Sequence, residues 1–119
     1  MTVGATDLAR SEAFYTRLGL RVIVRADRYL RFECPDGDGT FSVEAVADVR
    51  GDEAVTVYFE DRDVDGVVER MAAGGATVDQ LPADMPWRWR EARLRDPDGH
   101  RICVFWAGRD RHDPPWRVP

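Results

Sequence analysis

One order of predicted secondary structure occurs twice in this chain, and that repeat restricts the fold more than any single motif. A short strand at 2–6 precedes a helix that begins after Asp7, ends at Gly19 and is followed by three strands. In the second half, a strand at 55–60 precedes a helix that begins after Asp63 and ends at Gly74, and strands follow again. An internal repeat sets the fold when one unit cannot bury its apolar surface alone. We therefore expect two paired βαβββ units.

Hydrophobic periodicity supports both helices and most strands. Apolar residues fall on one face of each predicted helix, with Asp7 and Asp63 at the N-cap positions. In the first helix they are Leu8, Phe14, Tyr15 and Leu18, and in the second they are Val64, Val67, Val68 and Met71. Strict alternation marks the strands at 29–34, 40–45 and 55–60, whereas the segment 81–86 is expected to interrupt the strand that starts at 76.

A hairpin near the C-terminus closes the second unit. The sequence Asp96-Pro97-Asp98-Gly99 predicts a tight turn, because proline presets φ after the first corner and glycine permits positive φ. Ile102, Val104 and Trp106 then alternate with Arg101, Cys103 and Phe105, so two different faces leave one strand. The turn matches the cluster at 36–39 in the first unit.

Length and charge limit the classes of function. The 119 residues suit one domain with its own core, and the net charge of -5 argues against nucleic acid or an anionic membrane as partner. The two cysteines, Cys34 and Cys103, lack metal-ligand spacing and are expected to be reduced thiols of a cytoplasmic protein. The expected organisation is a module at 1–48, a linker at 49–53, a module at 54–107 and a tail at 108–119.

Two segments resemble a known family. The opening stretch 6–20 and the closing stretch 95–105, together with the two βαβββ units, look like the vicinal oxygen chelate superfamily. That superfamily includes glyoxalase I, extradiol dioxygenases, fosfomycin-resistance enzymes and bleomycin-resistance proteins. The resemblance implies an α+β fold in which two βαβββ modules form curved mixed sheets around a cleft. It does not imply one function, because the fold carries metalloenzymes and metal-free binding proteins alike.

The metal site that this resemblance implies is poorly matched. The family's ligands are His or Gln on the first strand, Glu on the fourth, His on the fifth and Glu on the last. Here the first position falls before Met1, and the other three are Glu44, Thr56 and Cys103. One carboxylate, one hydroxyl and one thiol are an unusual donor set for a first-row metal. We therefore expect no metal and no cofactor, although Glu44 with Cys103 stays open as an atypical site.

The metal-free bleomycin-resistance branch is the better match. Its Pro-Trp dipeptide, strand and Leu-Arg-Asp-Pro turn correspond here to Pro86-Trp87 and to Leu94-Arg95-Asp96-Pro97. Arg88 departs from the glycine that many relatives have. The resemblance implies a homodimer that sequesters or carries an aromatic or cationic antibiotic-like molecule in clefts between subunits.

Strand parity gives the expected cleft-facing residues. Aromatic groups stack on flat ligands and carboxylates pair with cations. The charged members could instead form salt bridges, Trp87 could pack at the rim, and Trp106 has the parity of the core. The tail could be disordered or could dock Trp116 on a partner subunit. The predicted ligand-binding residues are Glu44, Thr56, Tyr58, Glu60, Trp89, Glu91, Arg93, Cys103 and Phe105, with Arg101 sharing their parity.

Two other functions stay open at this point. The first is a lyase, isomerase or dioxygenase of the same superfamily, with an atypical metal site or with Glu44 or Glu60 as general base. The second is a structural domain that binds a partner through its tail.

Overall fold

The computed structural model describes residues 1–35, 38–49 and 55–119. The first module contains one helix and four strands, and the second module repeats that order. The elements are β1 (Thr2–Ala5), α1 (Leu8–Leu18), β2 (Arg21–Ala26), β3 (Tyr29–Glu33), β4 (Thr40–Ala45), β5 (Thr56–Glu60), α2 (Val64–Ala73), β6 (Thr77–Asp84), β7 (Arg90–Arg95) and β8 (Arg101–Trp106), followed by a single 3-10 turn over Gly108–Arg111. The predicted turn at 36–39 and the predicted linker at 49–53 lie partly outside the described residues.

Each module builds its own four-stranded mixed sheet. The strand order is β1-β4-β3-β2 in the first sheet and β5-β8-β7-β6 in the second. In each sheet the first strand of the module pairs in parallel with the last, and the other pairs are antiparallel. This arrangement confirms the predicted α+β fold with two βαβββ modules.

Both predicted N-caps are confirmed. The Asp7 carboxylate accepts a hydrogen bond from the Arg10 backbone N–H at 3.1 Å, and Asp63 accepts one from Gly66 at 3.0 Å. Each cap satisfies a donor that the first helical turn leaves without a partner. Gly19 ends α1 with φ of 120°, a left-handed conformation that favours glycine.

The core lies between the helices and their sheets and continues from one module to the other. Tyr15 of α1 is fully buried, and its ring centroid lies 4.7 Å from that of Phe41 and 6.3 Å from that of Phe59. Phe41 and Phe59 belong to different sheets and meet edge to face at 5.4 Å. Aromatic contacts of this kind join the two modules in one core.

The Asp96 carboxylate connects the last hairpin to α1. Its Oδ2 atom accepts a hydrogen bond from the buried Tyr15 hydroxyl at 2.6 Å, and its Oδ1 atom accepts backbone N–H bonds from Asp98 and His100, both at 2.9 Å. Gly99 closes the turn with φ of 89°, as the sequence predicted. The aspartate that starts the turn motif therefore fixes the position of the turn against the core.

One strand prediction was wrong. The segment 81–86 was expected to interrupt a strand, but β6 continues from Thr77 to Asp84. Proline lacks the N–H that a central strand needs, yet β6 is an edge strand of its sheet, where Pro82 is tolerated. The irregularity appears as register shifts between Val78 and Ala83, while the β7–β8 register stays unbroken. The parity assigned to β7 and β8 is therefore unaffected.

No helix in the described ranges has the length and apolar character needed to cross a membrane.

Candidate functional site

The second sheet has two chemically different faces. Val57, Leu94, Ile102 and Val104 belong to the main core with α2, whereas Cys103, Phe105 and Ala107 form a separate apolar cluster with Trp89. We call the side of the second sheet that carries Tyr58, Glu91, Arg93, Cys103 and Phe105 the helix-free face. Tyr58 and Arg93 both lie opposite Cys103 in register, and Glu91 and Glu60 lie opposite Phe105.

Three aromatic residues form a cluster on the helix-free face. The Trp89 ring stacks on Phe105 with centroids 4.7 Å apart and planes at 21°, and Tyr58 meets Phe105 edge to face at 5.8 Å. Phe105 is buried, Trp89 is half-buried and Tyr58 is 47% exposed. The cluster therefore has a buried floor and a partly exposed surface.

A buried carboxylate organises the rim of this cluster. Glu91 is 1% exposed, and its Oε1 atom accepts a 2.6 Å hydrogen bond from Trp87 Nε1. Its Oε2 atom accepts a 3.3 Å hydrogen bond from Arg93, whose guanidinium also lies over the Tyr58 ring at 5.7 Å. A buried charge is tolerated when it is paired and hydrogen-bonded. Glu91 therefore holds Trp87 and Arg93 in place.

The Glu60 carboxylate binds the backbone segment that follows β8. Its Oε2 atom accepts hydrogen bonds from the N–H groups of Ala107 and Gly108 at 3.2 and 3.4 Å. Its Oε1 atom pairs with Arg111 at 3.1 Å. This carboxylate holds the 3-10 turn after β8, and the Glu60 side chain is only 23% exposed.

Arg111 is a site residue that the sequence reasoning missed. Its guanidinium lies over Phe105, 5.4 Å from the ring centroid, and it covers the end of the aromatic cluster. It belongs to the segment that was assigned to the tail. An arginine in a charged segment carries no periodic signal, so only its contacts with Glu60 and Phe105 reveal the role.

Cys103 is a buried thiol at the centre of the helix-free face. It is 0% exposed. Burial, with a smaller contribution from the Glu91 charge and hydrogen bond, raises the pKa of the Cys103 thiol to about 12. The thiol is thus protonated at neutral pH, whereas a cysteine nucleophile must be a thiolate.

We expect iodoacetamide to modify Cys34 in the folded protein at neutral pH and to leave Cys103 unmodified. Cys34 is only partly buried, although burial also raises its pKa and slows its reaction. Peptide mass spectrometry after labelling with and without urea measures both sites. Fast modification of Cys103 without urea would contradict its burial.

Glu44 and Thr56 take no part in the ring contacts of the aromatic cluster. Glu44 is exposed on β4 in the first sheet, opposite Gly4 and Tyr29 in register. Thr56 begins β5 opposite Arg101. Neither residue has a hydrogen bond or ion pair with the cluster within the described part of the chain. Glu44 therefore lies in the other sheet, and Thr56 shares the strand and the parity of Tyr58 without joining its contacts. The structure brings together Tyr58, Glu60, Trp89, Glu91, Arg93, Cys103 and Phe105.

The residues present do not fit the metal site that the family implies. Thr2 and Tyr58 are equivalent positions of the two modules, because each lies five residues before the N-cap aspartate of its helix. Thr2 lies opposite Ser42, and Tyr58 lies opposite Cys103. Cys103 therefore corresponds to Ser42, and Phe105 rather than Cys103 is the counterpart of Glu44. Among residues 1–35, 38–49 and 55–119, no group of three or more His, Cys, Asp or Glu side chains could hold a metal ion.

A cavity beside the cluster extends between the modules. It measures about 210 Å³, and Tyr58, Glu60 and Arg111 line it together with Leu20 and Cys34. A larger cavity of about 370 Å³ lies on the helix side, where Arg10, Phe14, Arg17, Met71 and Arg95 line it. None of the predicted ligand-binding residues lines the larger cavity.

Comparison with known proteins shows the family. The model of the Glyoxalase/Bleomycin resistance protein/Dioxygenase superfamily matches residues 1–104, and the chain belongs to that superfamily. No curated protein matches the sequence significantly.

Solved structures share the fold at low sequence identity. TioX from Micromonospora sp. ML1 is 24% identical with a TM-score of 0.73, and the match covers 89% of this chain and 94% of that chain. A lactoylglutathione lyase from Agrobacterium tumefaciens is 22% identical with a TM-score of 0.68, covering 89% and 90%. A family enzyme from Burkholderia phytofirmans PsJN is 20% identical with a TM-score of 0.75, covering 88% and 94%. At these identities the likeness shows the fold alone.

Proposed function

We propose that this protein is a metal-independent small-molecule binding protein that holds a planar aromatic ligand on the helix-free face of the second sheet. The observation that carries the proposal is the stacked pair of Trp89 and Phe105 beside the half-exposed Tyr58. Aromatic side chains supply a large contact area and favour offset stacking on another ring.

The order of the site supports a binding role. Glu91 fixes Trp87 and Arg93 by hydrogen bonds, and Phe105 fixes the plane of Trp89 by stacking. Side chains that are already held in place lose little conformational entropy when a ligand arrives, which favours affinity. We propose that a second copy of the chain covers the open side of the ligand, as sequestration in a homodimer requires.

An enzyme of the same superfamily is the second candidate, and the side-chain chemistry gives it less support. An atypical metal site on Glu44 and Cys103 would take its ligands from different sheets, since Glu44 is exposed on β4 and Cys103 is buried on β8. No group of three or more His, Cys, Asp or Glu side chains in the described ranges could hold a metal ion. Glu60 would need a free carboxylate to act as a base, but it accepts hydrogen bonds from two backbone N–H groups and from Arg111. Metal analysis of the purified protein, alone and after incubation with Zn, Mn, Fe(II) and Ni, tests this candidate directly.

Trp89→Leu is expected to weaken the binding of a flat aromatic ligand by about tenfold, because it removes the stacking surface. Calorimetric titration with bleomycin and with 2-naphthylmethanol measures the change. Trp116→Leu is the matched control, since Trp116 is an exposed tryptophan of the C-terminal tail. Equal affinities of the two variants would contradict the proposed site, and circular dichroism verifies that both are folded.

A further inference from the structure

The charges on the helix-free face are unevenly accessible. Its carboxylate side chains are mostly buried, since Glu91 is 1% exposed and Glu60 is 23% exposed. Its arginine side chains are more accessible, with Arg93 32% exposed and Arg111 48% exposed. A ligand that approaches this face therefore meets positive charge first.

Both carboxylates also accept hydrogen bonds from other groups of the protein. Both oxygens of Glu91 accept hydrogen bonds, from Trp87 and from Arg93, and both oxygens of Glu60 accept hydrogen bonds or pair with Arg111. A cationic ligand would have to displace these partners. It would leave Arg93 or Arg111 without its counter-ion, and that exchange offers no net gain.

Two of the three rings of the cluster already carry a cation. Arg93 lies over Tyr58 and Arg111 lies over Phe105. A ligand cation would compete with these guanidinium groups and be repelled by them. By contrast, the hydrogen bonds of Arg93 to Tyr58 and Glu91 both come from Nη2, which leaves other N–H donors for an anion.

We propose that the ligand of this face is an aromatic anion, such as an aromatic carboxylate, and that Arg93 and Arg111 select the anionic group. This inference rests on the proposed function. It replaces the expected aromatic or cationic ligand with an aromatic ligand that carries a negative charge. The ring stacks with Trp89 beside Tyr58, and the anionic group pairs with the accessible guanidinium groups of this face.

Three probes with the same naphthalene ring test the charge preference: 2-naphthoate, 2-naphthylmethanol and 2-naphthylmethylammonium. We expect naphthoate to bind about tenfold more tightly than the ammonium compound at low salt, with the neutral alcohol between them. The preference should shrink as the ionic strength rises, because salt screens the partly exposed guanidinium groups. Calorimetric titration gives the three dissociation constants.

Arg111→Gln is expected to lower the affinity for naphthoate about three- to fivefold more than it lowers the affinity for the neutral alcohol. Arg109→Gln is the matched control, because Arg109 lies in the same 3-10 turn and pairs with Asp113, away from the cluster. The role of Arg93 is tested with the double variant Glu91→Gln/Arg93→Gln. Arg93→Gln alone would leave the buried Glu91 carboxylate without its cation.

The outcomes separate this inference from the proposed function. Equal affinities of the three probes, all weakened by Trp89→Leu, would overturn the inference and keep the aromatic site. A preference for naphthoate that depends on Arg17 and not on Trp89 would place the anion in the cavity on the helix side and overturn both. Binding of no probe at millimolar concentration would also overturn both.

Discussion

The free energy of unfolding is expected to fall as the pH rises from about 9 to about 12, by about 1.4 kcal/mol per pH unit for each buried acid that stays protonated in the folded state. Cys103 is one such acid, since its pKa is raised from 9.0 to about 12. Tyr15 is the other, because burial and the neighbouring Asp96 charge raise its pKa well above 10.0.

The direction follows from the protons bound in each state. Below about pH 9 both groups are protonated in the folded and the unfolded chain, so they produce no dependence on pH. Above that pH the unfolded chain releases protons that the folded chain keeps, and higher pH favours unfolding. Tyr29 acts in the opposite direction, because hydrogen bonds with Ser42 and Arg31 lower its pKa.

The composition makes this measurement unusually clean. The chain has 17 arginines and no lysine, so no lysine titrates in the same range. Urea unfolding at several values between pH 8 and pH 11 gives the slope. Cys103→Ala should flatten it from about pH 9, and Tyr15→Phe should flatten it above about pH 10. Cys34→Ala is the control and should change the slope less, since Cys34 is only partly buried. A slope that neither variant alters would contradict the burial of both groups.

Asp96→Ala is expected to destabilise the fold by about 3–5 kcal/mol. The change removes three hydrogen bonds and leaves the buried Tyr15 hydroxyl without its acceptor, and each buried polar group without a partner costs about 1–3 kcal/mol. Asp79→Ala is the control, because Asp79 pairs with Arg95 at a partly exposed position. That pair should contribute about 1 kcal/mol or less. Urea unfolding at neutral pH measures both variants.

A double-mutant cycle separates the tyrosine contact from the turn. Tyr15→Phe alone should cost about 1–3 kcal/mol, because Asp96 Oδ2 then loses its buried donor. In the Asp96→Ala background the same change should cost much less, and the difference gives the coupling between α1 and the last hairpin. Additive costs would mean that Asp96 acts only within its own turn.

Local signals were sufficient for most of the fold. Asp7 and Asp63 as N-caps, Gly19 as the helix end and Gly99 in the turn each depend on the conformation of a few neighbouring residues. The prediction for β6 failed because a proline usually indicates the end of a strand. Only the sheet order shows that β6 is an edge strand, where proline is tolerated.

The sequence predicted on which face of the sheet the site residues lie, but it did not predict how exposed they are. Alternation placed Glu91, Cys103 and Phe105 on the helix-free face, and the structure places them there but buries all three. Parity gives the direction of a side chain, whereas burial depends on what other segments place over it. Arg111, from beyond the last strand, covers Phe105 in a way that no periodicity in the sequence could indicate.

The amino-acid sequence was enough to predict the two βαβββ modules, their helix caps and the face on which each strand residue lies, because these depend on local conformation and on a period of two or 3.6 residues. Only the folded chain shows which carboxylates are already hydrogen-bonded, which aromatic rings are exposed and which charges a ligand would meet. Those properties arise from contacts between residues far apart in the chain, such as Glu60 with Arg111 and Tyr15 with Asp96.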